Sequence, residues 1–362
     1  MTHWIFTINP GSTSTKTALF ADCDCRYESV VRHDATELQH LPNLADQLPL
    51  RLEAIERSIR EGLKSAGLPD PSAIDAFVGR GGILHALESG TYAINDEMIA
   101  DLESNRYGIH ASNLGAPIAY GLAAHHQRPS FIVDPVTVDE MIPLSYYTGL
   151  PQLRRRSIFH ALNHKAMARQ AAGQIGKPYE SLNLIVAHLG GGISVGAHRA
   201  GRVIDVNNAI EEGPFSPERS GTLPTQQLLD LYESGKYTPA QIRALLVGRG
   251  GLFAYTGTAN AQAIEEEAAT NPQRAELLQA MAYQVSKSIG AMAVSLKGQI
   301  DAIVLTGGLA YSPLLTQEIR DRVSFLAPLI ILPGENEMKA MAEGAWRVLE
   351  GLEKPRIYAR EE

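Results

Sequence analysis

The chain has 362 residues, 44% hydrophobic and 20% charged, with a formal net charge of −8. That is chain enough for one large domain or, on usual domain sizes, two well-cored domains of a soluble globular protein. The acidic balance argues against a general nucleic-acid or anionic-membrane surface, while leaving room for a local basic pocket.

The opening stretch reads Ile5-Phe6-Thr7-Ile8-Asn9-Pro10-Gly11-Ser12-Thr13-Ser14-Thr15-Lys16-Thr17-Ala18-Leu19-Phe20. Two β-prone runs flank a turn rich in Gly, Ser and Thr. This predicts a hairpin whose tip offers backbone N–H groups, hydroxyls such as Ser12, and the Lys16 ammonium to a phosphate. Gly11 lets the backbone approach closely. Gly11…Lys16-Thr17 shares the Lys-Thr ending of a P-loop but lacks its second glycine, and a strand follows instead of a helix. A phosphate hairpin is the functional reading; an ordinary polar turn is the plain one. Cys23 and Cys25 form a Cys-Asp-Cys turn, too sparse for zinc and badly spaced for a structural disulfide. The chain enters a strand without a basic leader, and no apolar run reaches membrane-spanning length, so the expected location is the cytoplasm.

Arg26–Val31 is a third predicted strand. Leu44, Leu48, Leu52, Ile55, Ile59 and Leu63 recur at helical spacing, and Gly67 ends that helix. Strands are predicted at Ile74–Val78, running into Gly79-Arg80-Gly81-Gly82, at Thr91–Ile94, and at Phe131–Val133, ending in Asp134-Pro135. Asn95 caps one intervening helix, and another follows Gly108–Asn113. The whole predicts a mixed sheet flanked by helices.

Near residue 151 the pattern restarts, with Pro151 and Arg154-Arg155-Arg156 marking a candidate boundary. A helix His160–Ile175 leads into Leu184–Leu189, the tip Gly190-Gly191-Gly192, and a returning strand. A third strand, Val203–Val206, follows. Asn9 and Gly190 lie about half a chain apart, so the same unit opens both halves. Further helices are predicted at Pro224–Glu233, Pro239–Val247 and Arg274–Leu296. The strand Ala302–Leu305 then ends in Thr306-Gly307-Gly308. Leu329–Leu332 is the last predicted strand, and Met338–Leu349 is a closing helix expected to pack back on the first lobe. The expected lobes are 1–151 plus about 337–362, and 152–336. Together they would bracket a nucleotide in an inter-domain cleft and close by a hinge.

Phosphoryl transfer needs positioned phosphates, Mg²⁺ and cations on the equatorial oxygens. The candidates are Asn9, Lys16, Arg80, Asp134, His160, His188, Arg219 and Glu337. Arg80 lies among glycines, and Arg219 lies in a segment too polar for core. Two guanidinium forks suit a planar carboxylate. Beyond the hairpin, each candidate also has a plain reading: a surface ion pair for the arginines, a turn for Asp134, a satisfied core histidine for His160 or His188, a helix-start charge for Glu337.

The ordered motifs Ile8-Asn9-Pro10-Gly11-Ser12-Thr13-Ser14-Thr15-Lys16, Gly79-Arg80-Gly81-Gly82 and Val133-Asp134-Pro135 open a longer series. It continues as His188-Leu189-Gly190-Gly191-Gly192, Arg219-Ser220-Gly221, Thr306-Gly307-Gly308 and Pro333-Gly334-Glu335-Asn336-Glu337-Met338. In this series the chain resembles the acetate/butyrate kinase (acetokinase) family, short-chain fatty-acid kinases of the actin-like ATPase superfamily. The likeness is greatest to its butyrate-kinase branch. The resemblance implies two duplicated α/β domains of ribonuclease H-like fold. It implies ATP/ADP and Mg²⁺ as cofactors and reversible in-line transfer to a short-chain carboxylate, butyrate first. It also implies a homo-oligomer, at least a dimer.

By the same resemblance Asn9 and Glu337 hold Mg²⁺, while Gly11, Ser12, Lys16, His188, Gly190, Gly191 and Gly192 contact nucleotide phosphates. Gly307 and Gly308 line the adenosine site. Arg80 binds the carboxylate with Arg219, Asp134 orients the substrate or acts in acid–base chemistry, and His160 and Arg219 stabilise the transferring group. The chain departs from acetate-kinase spellings at His188–Gly192 and Thr306–Ser312, and has Asn260 about where many relatives place aspartate. The alternatives are an acetate, propionate or branched-chain fatty-acid kinase, and a non-enzymatic nucleotide-gated protein on the same scaffold.

Overall fold

The structure is a computed structural model that describes residues 2–34, 41 and 43–360. Residues 1, 35–40, 42, 361 and 362 of the predicted first lobe lie outside them. The strands are β1 (Trp4–Pro10), β2 (Ser14–Ala21), β3 (Asp24–Arg32), β4 (Ala76–Gly79), β5 (Thr91–Ala93), β6 (Ser130–Val133), β7 (Asn183–Leu189), β8 (Ile193–Arg199), β9 (Arg202–Val206), β10 (Ala302–Gly307), β11 (Leu329–Pro333) and β12 (Arg356–Ile357). The α-helices are α1 (Leu48–Ala66), α2 (Asp96–Glu103), α3 (Gly115–His126), α4 (Ala161–Ile175), α5 (Thr225–Glu233), α6 (Pro239–Leu246), α7 (Gly251–Thr256), α8 (Ala261–Ala268), α9 (Pro272–Ser295), α10 (Pro313–Val323) and α11 (Glu337–Leu349).

The chain divides into two compact units, Met1–Val138 with Asn336–Glu362, and Asp139–Glu335. Among the described residues the first holds a sheet in the order β12-β5-β6-β4-β1-β2-β3, the second a sheet in the order β11-β10-β7-β8-β9. The last five strands of the first order correspond one for one to the second. In each, a hairpin (β1–β2, β7–β8) extends antiparallel to a third strand, and its first strand pairs in parallel with a later one (β4, β10). Even the irregularities match: the register shifts between Leu19 and Phe20 in one unit and between Ala197 and His198 in the other. The fold is α/β, with two mixed sheets flanked by helices.

The central strands are apolar on both faces, as buried sheet interiors require: β7 is buried from Leu184 to Leu189 and β10 throughout. The edge strand β3 alternates exposed and half-buried residues and carries Arg26, Glu28 and Arg32, which discourages pairing with another chain. Each unit has its own core. Phe6, Ile8, Ile55, Phe77, Met98 and Ile132 belong to the first, and Ile185, Val195, Leu278, Val285, Ile303 and Leu305 to the second.

Helices α7, α8 and α10 and strand β12 fall in stretches left unassigned by sequence. α8 buries only Ile264, so it shows no periodic stripe; the Asn260 side chain caps it by accepting from Ala263 N at 3.1 Å. That gives Asn260 a structural task. β12 is two exposed residues, anchored by the next residue, Tyr358, which is 1% exposed and donates to Asp101 at 2.8 Å. Leu329–Leu332 is therefore not the final strand. No helix among the described residues is long and apolar enough to cross a membrane.

Candidate active site

In the first unit the hairpin β1–β2 pairs Asn9 with Lys16 and Pro10 with Thr15. Gly11 N donates to Ser14 O at 2.7 Å and closes the turn, with Ser12 and Thr13 exposed at its tip. A residue absent from the sequence reading supports this turn. Arg51, on α1, is fully buried and donates from Nη1 to Ser14 O at 3.0 Å and Thr15 Oγ1 at 3.1 Å. Burial pulls its pKa below the usual arginine value. An arginine on an amphipathic helix reads from sequence as a solvated face, which is why it gave no signal. The Lys16 side chain is half-exposed and makes no hydrogen bond or ion pair among the described residues.

Arg80 follows β4, and its N–H extends the sheet by donating to Ile8 O at 2.8 Å. The start of α3 packs backbone to backbone against it: a Cβ on Gly115 would overlap the Arg80 carbonyl, and one on Gly79 would overlap Gly115. The Arg80 guanidinium is buried. Nη2 pairs with Glu337 Oε1 at 2.9 Å, while Nη1 has no hydrogen-bond partner among the described residues. Asn9 Nδ2 donates to the other oxygen, Glu337 Oε2, at 2.8 Å. Glu337 is the first residue of α11, where a carboxylate also suits the helix dipole. Asn9, Arg80 and Glu337 thus form one cluster.

Asp134 sits just past β6 with φ of +39°, a left-handed conformation that aspartate tolerates better than most residues. It is 1% exposed, and its Oδ1 accepts from Ser89 Oγ at 2.6 Å and Gly90 N at 2.8 Å. Pro135 lies against Gly81, so the loops after β4 and β6 are neighbours. A turn-former needs neither the burial nor both bonds.

The second unit gathers the other candidates at the tip between β7 and β8. His160 is the N-cap residue of α4, and its ring stacks on His188 with centroids 3.9 Å apart. His188 Nδ1 lies 2.9 Å from Asn163 Oδ1. Ser216 Oγ donates to Gly191 O at 2.6 Å, fixing the loop that carries Arg219 against the tip. A Cβ on Gly192 would overlap the Arg219 guanidinium, so a side chain there would have to displace it. Arg219 Nη1 donates to Ala209 O at 2.8 Å, and burial lowers its pKa. β10 runs parallel to β7 with Thr306 beside His188, which brings Gly307 against Leu189; Gly307 and Gly334 exchange backbone hydrogen bonds of 3.1 and 3.0 Å. Gly308 opens the single turn that ends at Tyr311. Glu335 offers its carbonyl to Asn163 Nδ2 at 2.6 Å.

The unit-one group is therefore Asn9, Lys16, Arg80 and Glu337 with Asp134 in the adjoining loop. The unit-two group is His160, His188, Gly190–Gly192, Arg219 and Gly307. A profile of the acetokinase family matches residues 137–327. The chain is 50% identical over 98% of its length, and 99% of the relative's, to a protein of Coprothermobacter proteolyticus named "Probable butyrate kinase". It is 48% identical over 99% of its length, and all of the relative's, to one of Listeria welshimeri with the same name. The chain belongs to the acetokinase family. Among solved structures, the acetate kinase of Porphyromonas gingivalis superposes with a TM-score of 0.77 at 20% identity, covering 96% of this chain and 100% of that one. At that identity the likeness speaks for the fold of this acetokinase-family chain.

Proposed function

We propose that the protein transfers the γ-phosphoryl group of ATP reversibly to a short-chain carboxylate, butyrate before others, giving ADP and an acyl phosphate. The observation that carries the reading is Arg80: a buried guanidinium with one amino group tied to Glu337 and the other, Nη1, without a hydrogen-bond partner among the described residues. A buried donor left unsatisfied costs on the order of 1–3 kcal/mol, more when charged. It is a place built for an arriving anion, and a carboxylate matches the fork. The names of relatives about half identical over nearly the whole chain favour butyrate.

A carboxylate is ionised near neutral pH and is already a nucleophile, so no strong base is called for. The obstacle is its repulsion from the γ-phosphate. In the reaction a carboxylate oxygen forms a bond to the γ-phosphorus. The bond to the β–γ bridging oxygen breaks, and its electron pair leaves with ADP. In our reading Arg80 draws off carboxylate charge and Asp134 orients the substrate side. Arg219 and His160 hold the transferring oxygens. The Asn9–Lys16 hairpin and the His188–Gly192 tip carry phosphates, and Gly307 and Gly308 the adenosine.

Among the described residues no three His, Cys, Asp or Glu side chains form a metal cage. The adjacent Asn9 amide and Glu337 carboxylate nevertheless fit Mg²⁺, which takes one or two protein oxygens and completes its shell with phosphate and water. Asn9 and Glu337 are the residues that would hold it, and the ion supplies charge neutralisation of phosphate oxygens. We place the enzyme in the cytoplasm, as a homo-oligomer.

Trapping with hydroxylamine tests the reading. ATP-dependent acyl hydroxamate should form across acetate to valerate and peak at butyrate. No hydroxamate with any of them would end the proposal; a peak at acetate or propionate would reassign the substrate.

A further inference from the structure

Behind His160, a run of polar side chains crosses the core of the second unit. Ser194 Oγ lies 2.9 Å from His160 Nδ1 and 2.8 Å from His164 Nε2. His164 Nδ1 is 3.3 Å from His198 Nε2, and His198 Nδ1 is 2.7 Å from the Tyr179 hydroxyl. Ser194, His164 and His198 are fully buried and Tyr179 nearly so. Apolar side chains would serve packing alone without the desolvation cost that each polar group carries.

The proton count along this run is constrained. Burial first, and neighbouring histidines and Lys165 second, push His164 and His198 well below the ordinary histidine range, so both rings are neutral with one N–H each. A neutral ring donates from one nitrogen and accepts at the other, and the serine hydroxyl has one hydrogen. With the serine hydrogen kept within the run, the bonds all point outward to His160 or all point inward to Tyr179. Lys165 Nζ and the Arg169 guanidinium each lie 5.9 Å from the Tyr179 ring centroid. Lys165 is itself paired with Glu140 Oε2 at 2.6 Å, so the Arg169 guanidinium carries the bias: positive charge beside a phenol makes it a better donor, which favours the outward direction.

We propose that Tyr179, His198, His164 and Ser194 form a positioning relay that holds His160 as the neutral tautomer protonated on Nε2, a hydrogen-bond donor toward the transferring phosphoryl group. The inference rests on the role given to His160 above. In the inward state His160 would present a bare Nε2 lone pair, which repels phosphoryl oxygens. Charging the ring would put a second donor on Nδ1, so the Ser194 hydroxyl would have to turn its hydrogen away from it. The stacked His188, 3.9 Å away, adds to the cost of a second charge. A partner on one ring nitrogen sets the proton on the other, and the wrong tautomer of a catalytic histidine is known to be costly.

The test uses the full-length protein with ¹⁵N-labelled histidine. Two-bond ¹H–¹⁵N spectra report each ring's tautomer without substrate, and the His160 signals are those lost in His160→Gln. The wild type should show His160 protonated on Nε2. Tyr179→Phe, which keeps the ring and removes the hydroxyl, should move part of the His160 population to Nδ1–H. It should also lower kcat on the order of tenfold, the low end seen for partners of metal-bound histidines, with both KM values nearly unchanged. Ser194→Ala should do the same more strongly. In active enzyme the relay needs both changes, and either one alone overturns it, as does a wild-type His160 protonated on Nδ1. Absence of acyl hydroxamate with a Tyr179-dependent tautomer would instead refute the reaction and leave the relay standing.

Discussion

Arg80 is held on both sides by features spaced far apart in sequence: its peptide by the start of α3, its Nη2 by Glu337. Arg80→Lys keeps one charge but loses the planar fork that serves Glu337 with one amino group and leaves the other for a substrate carboxylate. A hydrogen bond to a charged group is worth about 1.5–3 kcal/mol, so the KM for butyrate should rise roughly tenfold or more. The KM for ATP should stay near wild type; steady-state kinetics with each substrate varied would show it, and an unchanged butyrate KM would remove Arg80 from the carboxylate site. The buried pair His164 and His198 makes a second prediction, about stability. Their folded pKa values lie below the unfolded value of about 6.5, so the unfolded chain binds more protons below that pH. Stability is complete above it and falls as pH drops, by about 1.4 kcal/mol per pH unit for each histidine. Urea midpoints from pH 7.5 to 5.5 should fall, and less steeply in His198→Gln; parallel slopes would refute the assignment. From sequence, His160 was visible at the head of a helix. The spacing of His164 from it was visible too, but its partners Ser194 and His198 lie 30 and 34 positions on, and only the β8 hairpin brings them back.

At the scale of elements, the glycine-rich tips were legible because glycine after an apolar strand has few other uses. The hairpins, the capped helix after Asn95 and the long helix before β10 carry their own local signals. What was not legible lacks such signals: α8 with one buried apolar residue, and β12 with none. The glycines of α3 show how context decides a residue's meaning. Gly115 meets the Arg80 backbone, whereas a Cβ on Gly121 would meet nothing within 4 Å. Gly115→Ala should therefore cost about 1–3 kcal/mol by overpacking and displace Arg80. Gly121→Ala should stabilise by up to about 1 kcal/mol through helix propensity. Opposite signs in denaturant midpoints, with activity lost only in the first, would bear this out; equal shifts would not.

At the scale of the molecule, the duplicated strand order could be guessed from two glycine tips half a chain apart. The return of residues 336–362 to the first unit has no comparable sequence signal beyond the closing helix itself. That return matters for the site, since it delivers Glu337 to Asn9 across 328 positions. It matters for folding as well. α11 buries Met338, Met341, Ala342 and Ala345, presents Gly344 to Val133, and accepts a bond from Thr91 Oγ1 at Gly344 O, 3.2 Å away. Tyr358 then seats among Phe6, Ile8 and Phe77 in the core of the first unit. The second unit, by contrast, is one continuous segment with its own core. Units so built are expected to differ in autonomy. A fragment of residues 139–335 should unfold as a cooperative transition in calorimetry. A fragment of residues 1–138 should show none until a peptide of residues 336–362 is added, which should restore it. A cooperative transition in residues 1–138 alone would mean that α11 and Tyr358 are accessories and not part of the core, and a featureless trace from residues 139–335 would mean that the second core is not self-sufficient.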